Sequence, residues 1–319
     1  MKIVFMGTPE FACPPLEQLY HSRHELLAVV TTPDKPAGRG KKITASEVCM
    51  SATNLGVPIV KPESLKDDRL FEQLKQLAPD LIVVVAFRLL PRRLYELPKL
   101  GAINIHASLL PKYRGAAPIQ WALINGESET GLTAFYLKKQ VDTGDIILQK
   151  RVPIENTDNY DSLYRRLAGL AGSFLLETLD QIENGEAQPK QQSDTEATNA
   201  PKIGPFDALI DFGFPASNVR NFIRGLSTKP GAYTYFREKK VKILSSEIAD
   251  NHADPQTRPG TITRAKKQLV VQCARTALEL TCLIPEGKKP MDGCSFINGF
   301  RPKEGELFGE TTHGERIAQ

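Results

Sequence analysis

Residues 101–118 read GAINIHASLLPKYRGAAP, and the rest of the chain is organised around them. The run 102–105, rich in β-branched residues, reads as a buried strand. Asn104 and His106 stand two residues apart, so on an extended chain both side chains point to the same face. The turn-rich run from Ser108-Leu109-Leu110-Pro111 through Lys112-Tyr113-Arg114-Gly115 cannot continue that strand. A polar pair on one face at the end of a strand is how α/β folds present chemistry.

Upstream, residues 2–6 form a strand that turns at Gly7-Thr8-Pro9 into a helix over 11–20, and 26–31 is a second strand. A helix over 46–55, a short strand at 57–60 and a helix over 67–77 follow. The run LIVVVA at 81–86 is continuously apolar, as in a strand covered on both faces of a parallel sheet. Phe87-Arg88-Leu89-Leu90-Pro91 lies at its carboxyl end. Downstream come a helix over 119–125, a strand at 132–137, the polar turn Val141-Asp142-Thr143-Gly144-Asp145, a strand at 146–152 and a long helix over 161–182. Strands alternating with helices predict a Rossmann-like, doubly wound α/β domain over residues 1–185. Only Gly7 of a G-x-G-x-x-G fingerprint is in place, which argues against a dinucleotide oxidoreductase.

Residues 186–200 are polar, lack large apolar side chains and read as a linker. Beyond them the pattern changes. A helix near 216–225 precedes short strands at 232–237, 240–247, 260–263, 269–273 and 277–284, which predicts a small OB-like β-barrel over 201–319. This segment holds 18 Lys plus Arg against 13 Asp plus Glu, so it accounts for the whole chain's surplus of +4. The clusters Lys239, Lys240, Lys242, Lys266, Lys267, Lys288 and Lys289 suit either solvated turns or a nucleic-acid backbone. The same ambiguity attaches to residues 32–44, TPDKPAGRGKKIT, with four basic residues and one acid: a solvated surface loop, or an arm that folds against an anionic polymer.

The chain has 319 residues, 41% hydrophobic and 24% charged, enough for two globular domains. No stretch approaches the ~20 apolar residues of a membrane span, and the amino terminus reads as a strand rather than a signal peptide. Five scattered cysteines make no C-x-x-C pair, so free thiols in a reducing cytoplasm and no metal site are expected.

Asn104, His106 and Asp142 form a polar constellation if the turn at 141–145 folds back beside the strand end. An Asn amide can donate to a developing oxyanion, a histidine can donate or shuttle a proton near neutral pH, and an aspartate can orient that histidine. In isolation, the D-T-G-D run could be only a hairpin turn, and His106 only a satisfied core histidine. No Ser or Cys sits in a nucleophile elbow, so acyl transfer by direct attack of an acceptor amine, through a tetrahedral intermediate, is the simpler mechanism.

At these residues the sequence resembles the folate-dependent formyltransferases. The resemblance rests on N-x-H-x-S-L-L-P-x-x-R-G from Asn104 to Gly115 and on D-T-G-D from Asp142 to Asp145. The opening VFMGTPEFA, the loop PDKPAGRGKK and the second-domain run PEGKKPM resemble the branch acting on methionyl initiator tRNA. The resemblance implies that 10-formyltetrahydrofolate donates a formyl group to the α-amino group of that aminoacylated RNA, with Asn104, His106 and Asp142 catalytic. It further implies that Ser108, Leu109, Leu110 and Pro111 border the folate. Phe87, Arg88 and Leu89, with the loop before Asp142, would flank the pterin; here the run 86–91 is AFRLLP, shorter than the family's AYG-x-I-L-P pattern. Arg39, Lys41 and Lys42 would engage the RNA acceptor arm, and the barrel the rest of it. A monomer is expected. The rival readings are a formyltransferase acting on glycinamide ribonucleotide or an amino-sugar nucleotide, and a non-catalytic RNA-binding protein. The first leaves the basic loop and the basic second domain unexplained; the second leaves the intact Asn104, His106 and Asp142 unexplained.

Overall fold

The computed structural model describes residues 1–37, 42–249, 254 and 256–309. It divides into two compact units, one built from residues 1–118, 129–153 and 164–201, the other from 119–128, 154–163 and 202 onward.

The elements follow in chain order as β1 (Lys2–Gly7), α1 (Cys13–Tyr20), β2 (Glu25–Val30), β3 (Lys35–Ala37), β4 (Lys42–Thr44), α2 (Glu47–Leu55), β5 (Ile59–Val60), α3 (Asp68–Leu77), β6 (Leu81–Val85), α4 (Arg92–Tyr95), β7 (Ala102–His106), α5 (Pro118–Ile124), β8 (Glu129–Tyr136), β9 (Ile146–Pro153) and α6 (Tyr160–Glu183). The first unit's sheet has the order β5-β2-β1-β6-β7-β8-β9. Its first five strands are parallel, and β8 and β9 are added antiparallel. The chain runs outward from β1 to β2 and β5, then returns to the other side as β6 and β7. The strand order therefore reverses at β1, the place where open α/β sheets bind ligands at the carboxyl ends of their strands.

Local chemistry explains these elements. All five residues of β6 are buried, as its unbroken apolar run predicts. Ser46 caps α2 by accepting from the Cys49 amide at 3.1 Å, and Asp67 caps α3 by accepting from the Arg69 amide at 2.9 Å. Leu70 and Leu74, one helical turn apart, bring α3 onto the sheet face formed by Val4, Met6, Ile82 and Val84. Strand alternation turns Ile3, Phe5, Leu81 and Val83 to the opposite face, and all four are fully buried. The stretch 32–44, expected as an irregular loop, carries a two-stranded hairpin in which Lys35 pairs with Thr44 and Pro36 with Ile43. Gly38 and Gly40, lying between two short runs able to extend, are the signal for it.

The segment 186–200, expected as a linker, is seated on the first unit. Lys190 bridges Ile146, and Asn199 bridges Arg114. Low apolar content removed side-chain burial as a signal, but backbone N–H and C=O groups pair whatever the side chains are.

The second unit adds α7 (Ala216–Leu226), β10 (Tyr233–Phe236), β11 (Lys239–Ile248), β12 (Ile262–Ala265), β13 (Leu269–Gln272), β14 (Ala277–Pro285), β15 (Met291–Asp292) and α8 (Gly293–Phe300). Its antiparallel sheet has the order β10-β11-β14-β13-β12, with β15 paired to β14. Phe308 bridges Phe236 on β10, and Leu307 bridges Thr261 beside β12, so one short segment reaches both edges of a curled sheet. Val219, Ile223 and Leu226 of α7 share a core with Val241, Ile243 and Leu280. The rings of Phe236, Phe296 and Phe308 lie within 6.1 Å of one another. No helix among the described residues is long and apolar enough to cross a membrane.

Candidate active site

β7 sits between parallel β6 and antiparallel β8, with Asn104 opposite Phe135 and His106 opposite Thr133. His106 is buried, 7% exposed, and the Phe135 ring meets it edge-on at 6.5 Å. Its Nε2 lies 2.8 Å from the carbonyl oxygen of Tyr113. A carbonyl can only accept, so Nε2 carries a hydrogen and Nδ1 is the nitrogen left to exchange protons. Nδ1 faces Asp142 Oδ2 at 3.8 Å. That gap is long for a hydrogen bond but suits an ion pair, and catalytic contacts of this kind tighten when substrate engages.

Asp142 reaches this place because the turn before β9 folds back toward β7. Its backbone is in the left-handed region, φ 54°, which Asp tolerates better than most residues. Oδ2 accepts from the Gly115 amide at 2.8 Å, so the same oxygen that faces His106 is anchored from the turn after β7. Gly144 makes the tight return possible: a Cβ there would come 1.5 Å from the Tyr136 carbonyl oxygen.

Asn104 Oδ1 is buried and has no hydrogen-bond partner among the described residues. A buried acceptor without a donor costs free energy, and an N–H group of a bound substrate would satisfy it. The structure thus joins His106 to Asp142 and places Asn104 on the same strand face.

The residues expected at the folate follow two neighbouring strands, β6 and β7. Ser108 is fully buried, its hydroxyl donating to the Lys112 carbonyl at 2.7 Å. Thr133 donates to the Ser108 carbonyl at 2.6 Å and accepts from the Leu110 amide at 3.1 Å, while Gln149 donates to the Leu110 carbonyl at 2.8 Å. These bonds fix the turn containing Ser108, Leu109, Leu110 and Pro111. At the end of β6, Arg88 stacks over Phe87 and donates to the carbonyls of Pro62 and Glu63 at 2.9 and 3.1 Å. Burial pulls its pKa below the usual arginine value. Leu89 is 68% exposed. An open concavity of about 670 Å³ is lined by Tyr136, Leu137, Lys138, Lys139 and Gln140, the loop before Asp142, together with residues of α4 and the start of β7. Phe87, Arg88, Leu89 and the turn over 108–111 do not line it. Arg39 and Lys41, expected at the RNA, lie outside the described residues; Lys42 opens β4.

The first 179 residues match the formyl transferase family, and residues 202–301 match the family's C-terminal domain. The chain belongs to the formyl transferase family. Over 309 residues this formyltransferase chain is 43% identical to the methionyl-tRNA formyltransferase of Caldanaerobacter subterraneus subsp. tengcongensis, covering 96% of this chain and 99% of the relative. It is 42% identical to the methionyl-tRNA formyltransferase of Thermodesulfovibrio yellowstonii over 304 residues, covering 95% and 97%. An N-formyltransferase of Helicobacter canadensis, solved with folinic acid and dTDP-3-aminofucose, has the same fold. Its TM-score is 0.65 at 19% identity, over 88% of this chain and 98% of that one.

Sequence reasoning overlooked Arg114, Thr133, Gln149 and Gln192. Arg114 stood inside the quoted motif without a role. Thr133 is fully buried on β8, where a polar residue at apolar spacing was a usable signal, whereas Gln149 is exposed on β9 and gave none. Gln192, 8% exposed within a polar stretch, gave none.

Proposed function

We propose that this chain transfers the formyl group of 10-formyltetrahydrofolate to the α-amino group of methionyl initiator tRNA, with Asn104, His106 and Asp142 as its catalytic residues. The observation that carries the reading is the buried His106–Asp142 pair, with Asn104 on the same strand face, in a chain matched end to end by relatives named for that reaction. The folate supplies an activated formyl carbon and a nitrogen leaving group. When an amine adds to that carbon, negative charge gathers on the formyl oxygen, and Asn104 and His106 stabilise it as hydrogen-bond donors. Asp142 orients His106 and takes part in moving the amine proton toward the leaving nitrogen. The Tyr113 carbonyl keeps the imidazole in one orientation throughout.

On the acceptor side, β11 supports the reading. Strand pairing places Lys240 and Lys242 opposite Tyr235 and Tyr233, and the Tyr233 and Tyr235 rings meet edge-on at 5.8 Å. Lys240 Nζ lies 3.5 Å from the Tyr233 ring centre; burial, then Lys242, holds its pKa below the ordinary lysine value. Tyr233 is buried, so it seats the Lys240 ammonium, and the cations of this strand suit an RNA phosphate backbone. In this reading Arg39, Lys41 and Lys42 meet the acceptor arm, and Ser108, Leu109, Leu110, Pro111 and the backbone of Phe87, Arg88 and Leu89 border the folate. The protein acts as a monomer in the cytoplasm, consistent with its five free thiols. Single-turnover formyl transfer tests the catalytic assignment. His106→Ala and Asn104→Ala should each lose at least ~10²-fold in rate, the cost of an oxyanion donor; a near-normal rate in either removes that residue from the chemistry.

A further inference from the structure

We infer that Gln192 is a positioning residue for this reaction, holding the loop of Asp142 against the turn that orients His106. The inference rests on the proposed role of Asp142 and extends it to a residue far along the chain.

The Gln192 carboxamide uses both ends. Its Nε2 donates to the carbonyl oxygens of Asp142 at 2.9 Å and Gly144 at 2.8 Å. Its Oε1 accepts from Arg114 Nε at 3.1 Å and Nη2 at 2.9 Å. Carbonyls only accept and a guanidinium only donates, so this network admits one orientation of the amide. Gln192 is nearly buried, where unpaired polar groups are costly, so loss of the amide would leave two carbonyls and a guanidinium with unmet bonds.

What the amide joins is specific. One side is the backbone of Asp142 itself, held at φ 54°, and of Gly144. The other is Arg114, whose chain neighbours make the two contacts that define the pair: the Tyr113 carbonyl on His106 Nε2 and the Gly115 amide on Asp142 Oδ2. The surrounding segment adds a second tie, with Thr198 Oγ1 accepting from the Tyr113 amide at 2.8 Å and the Ala200 amide donating to the Arg114 carbonyl at 2.7 Å. The segment 190–200 is thus a strap across both loops of the site, and Gln192 is the point where it grips the acid. Displacing a catalytic group by about 1 Å can cost about 10²-fold in rate.

The test is a double-mutant cycle read by single-turnover transfer, with KM measured for 10-formyltetrahydrofolate and methionyl-tRNA. Gln192→Ala removes all four bonds. Gln192→Glu keeps the acceptor for Arg114 but sets a carboxylate against two carbonyls. Each should slow the rate by about 10²-fold with KM for both substrates little changed. The Gln192→Ala, Asp142→Ala double variant should be no slower than Asp142→Ala alone, because residues acting as a unit are not additive. A full rate in either folded Gln192 variant, or losses that multiply in the double variant, would overturn the inference, as would failure of both single variants to fold. A full rate in Asp142→Ala would instead overturn the proposed role of Asp142.

Discussion

At the scale of single residues, the site depends on which atoms donate. His106 has its Nε2 hydrogen committed to a backbone carbonyl, and Asp142 has its facing oxygen committed to a backbone amide. Neither side chain can rotate away without breaking a bond made to the turn after β7. Asn104 differs, since its buried Oδ1 has no partner among the described residues. Its amide hydrogens are what an oxyanion needs, so Asn104→Asp, nearly the same in shape, should be at least as slow as Asn104→Ala. A carboxylate there accepts instead of donating and repels the developing charge. Transfer by Asn104→Asp at close to the normal rate would exclude an oxyanion role. These three residues were legible in the sequence: two by strand spacing, the third by a turn motif. Gln192 was not, because a lone glutamine in a polar stretch has the same composition whether it faces water or closes a network.

At the scale of elements, the acid is delivered by a return so tight that its backbone presses against the end of β8, where the Tyr136 amide donates to the Asp145 carbonyl at 3.0 Å. Gly144 permits this, with the Tyr136 carbonyl where a Cβ would stand. Gly144→Ala should therefore cost about 1–3 kcal/mol, as overpacking does, and should also slow transfer because the loop carrying Asp142 must shift. Denaturant midpoints and single-turnover rates measured together check it; an unchanged midpoint would mean that the loop has room to spare. The sheet's strands were readable because apolar runs and turn residues are local signals. The antiparallel pairing of β8 and β9 and the seating of residues 186–200 were not, since both depend on partners distant in the chain. In the second unit, α8 was missed because GCSFINGF is short and begins with glycine, a poor helix former; Asp292 starts it by accepting from the Ser295 amide at 2.6 Å.

At the scale of the whole molecule, chemistry and charge fall in different stretches of the chain. The strand-end chemistry lies in the first unit, and the surplus of basic residues in the C-terminal segment 201–319. If the basic segment 201–319 holds an RNA through its phosphates, affinity for tRNA should fall steeply as salt rises, because bound counterions are released on association. Filter binding across a salt series measures this, and a flat dependence would remove the second unit from RNA recognition. The choice of acceptor is the central claim, and it is open to one direct assay. With 10-formyltetrahydrofolate as donor, methionyl-tRNA and glycinamide ribonucleotide are offered together and both formylated products are counted. The account predicts formyl-methionyl-tRNA alone; formylated glycinamide ribonucleotide with untouched methionyl-tRNA would contradict it.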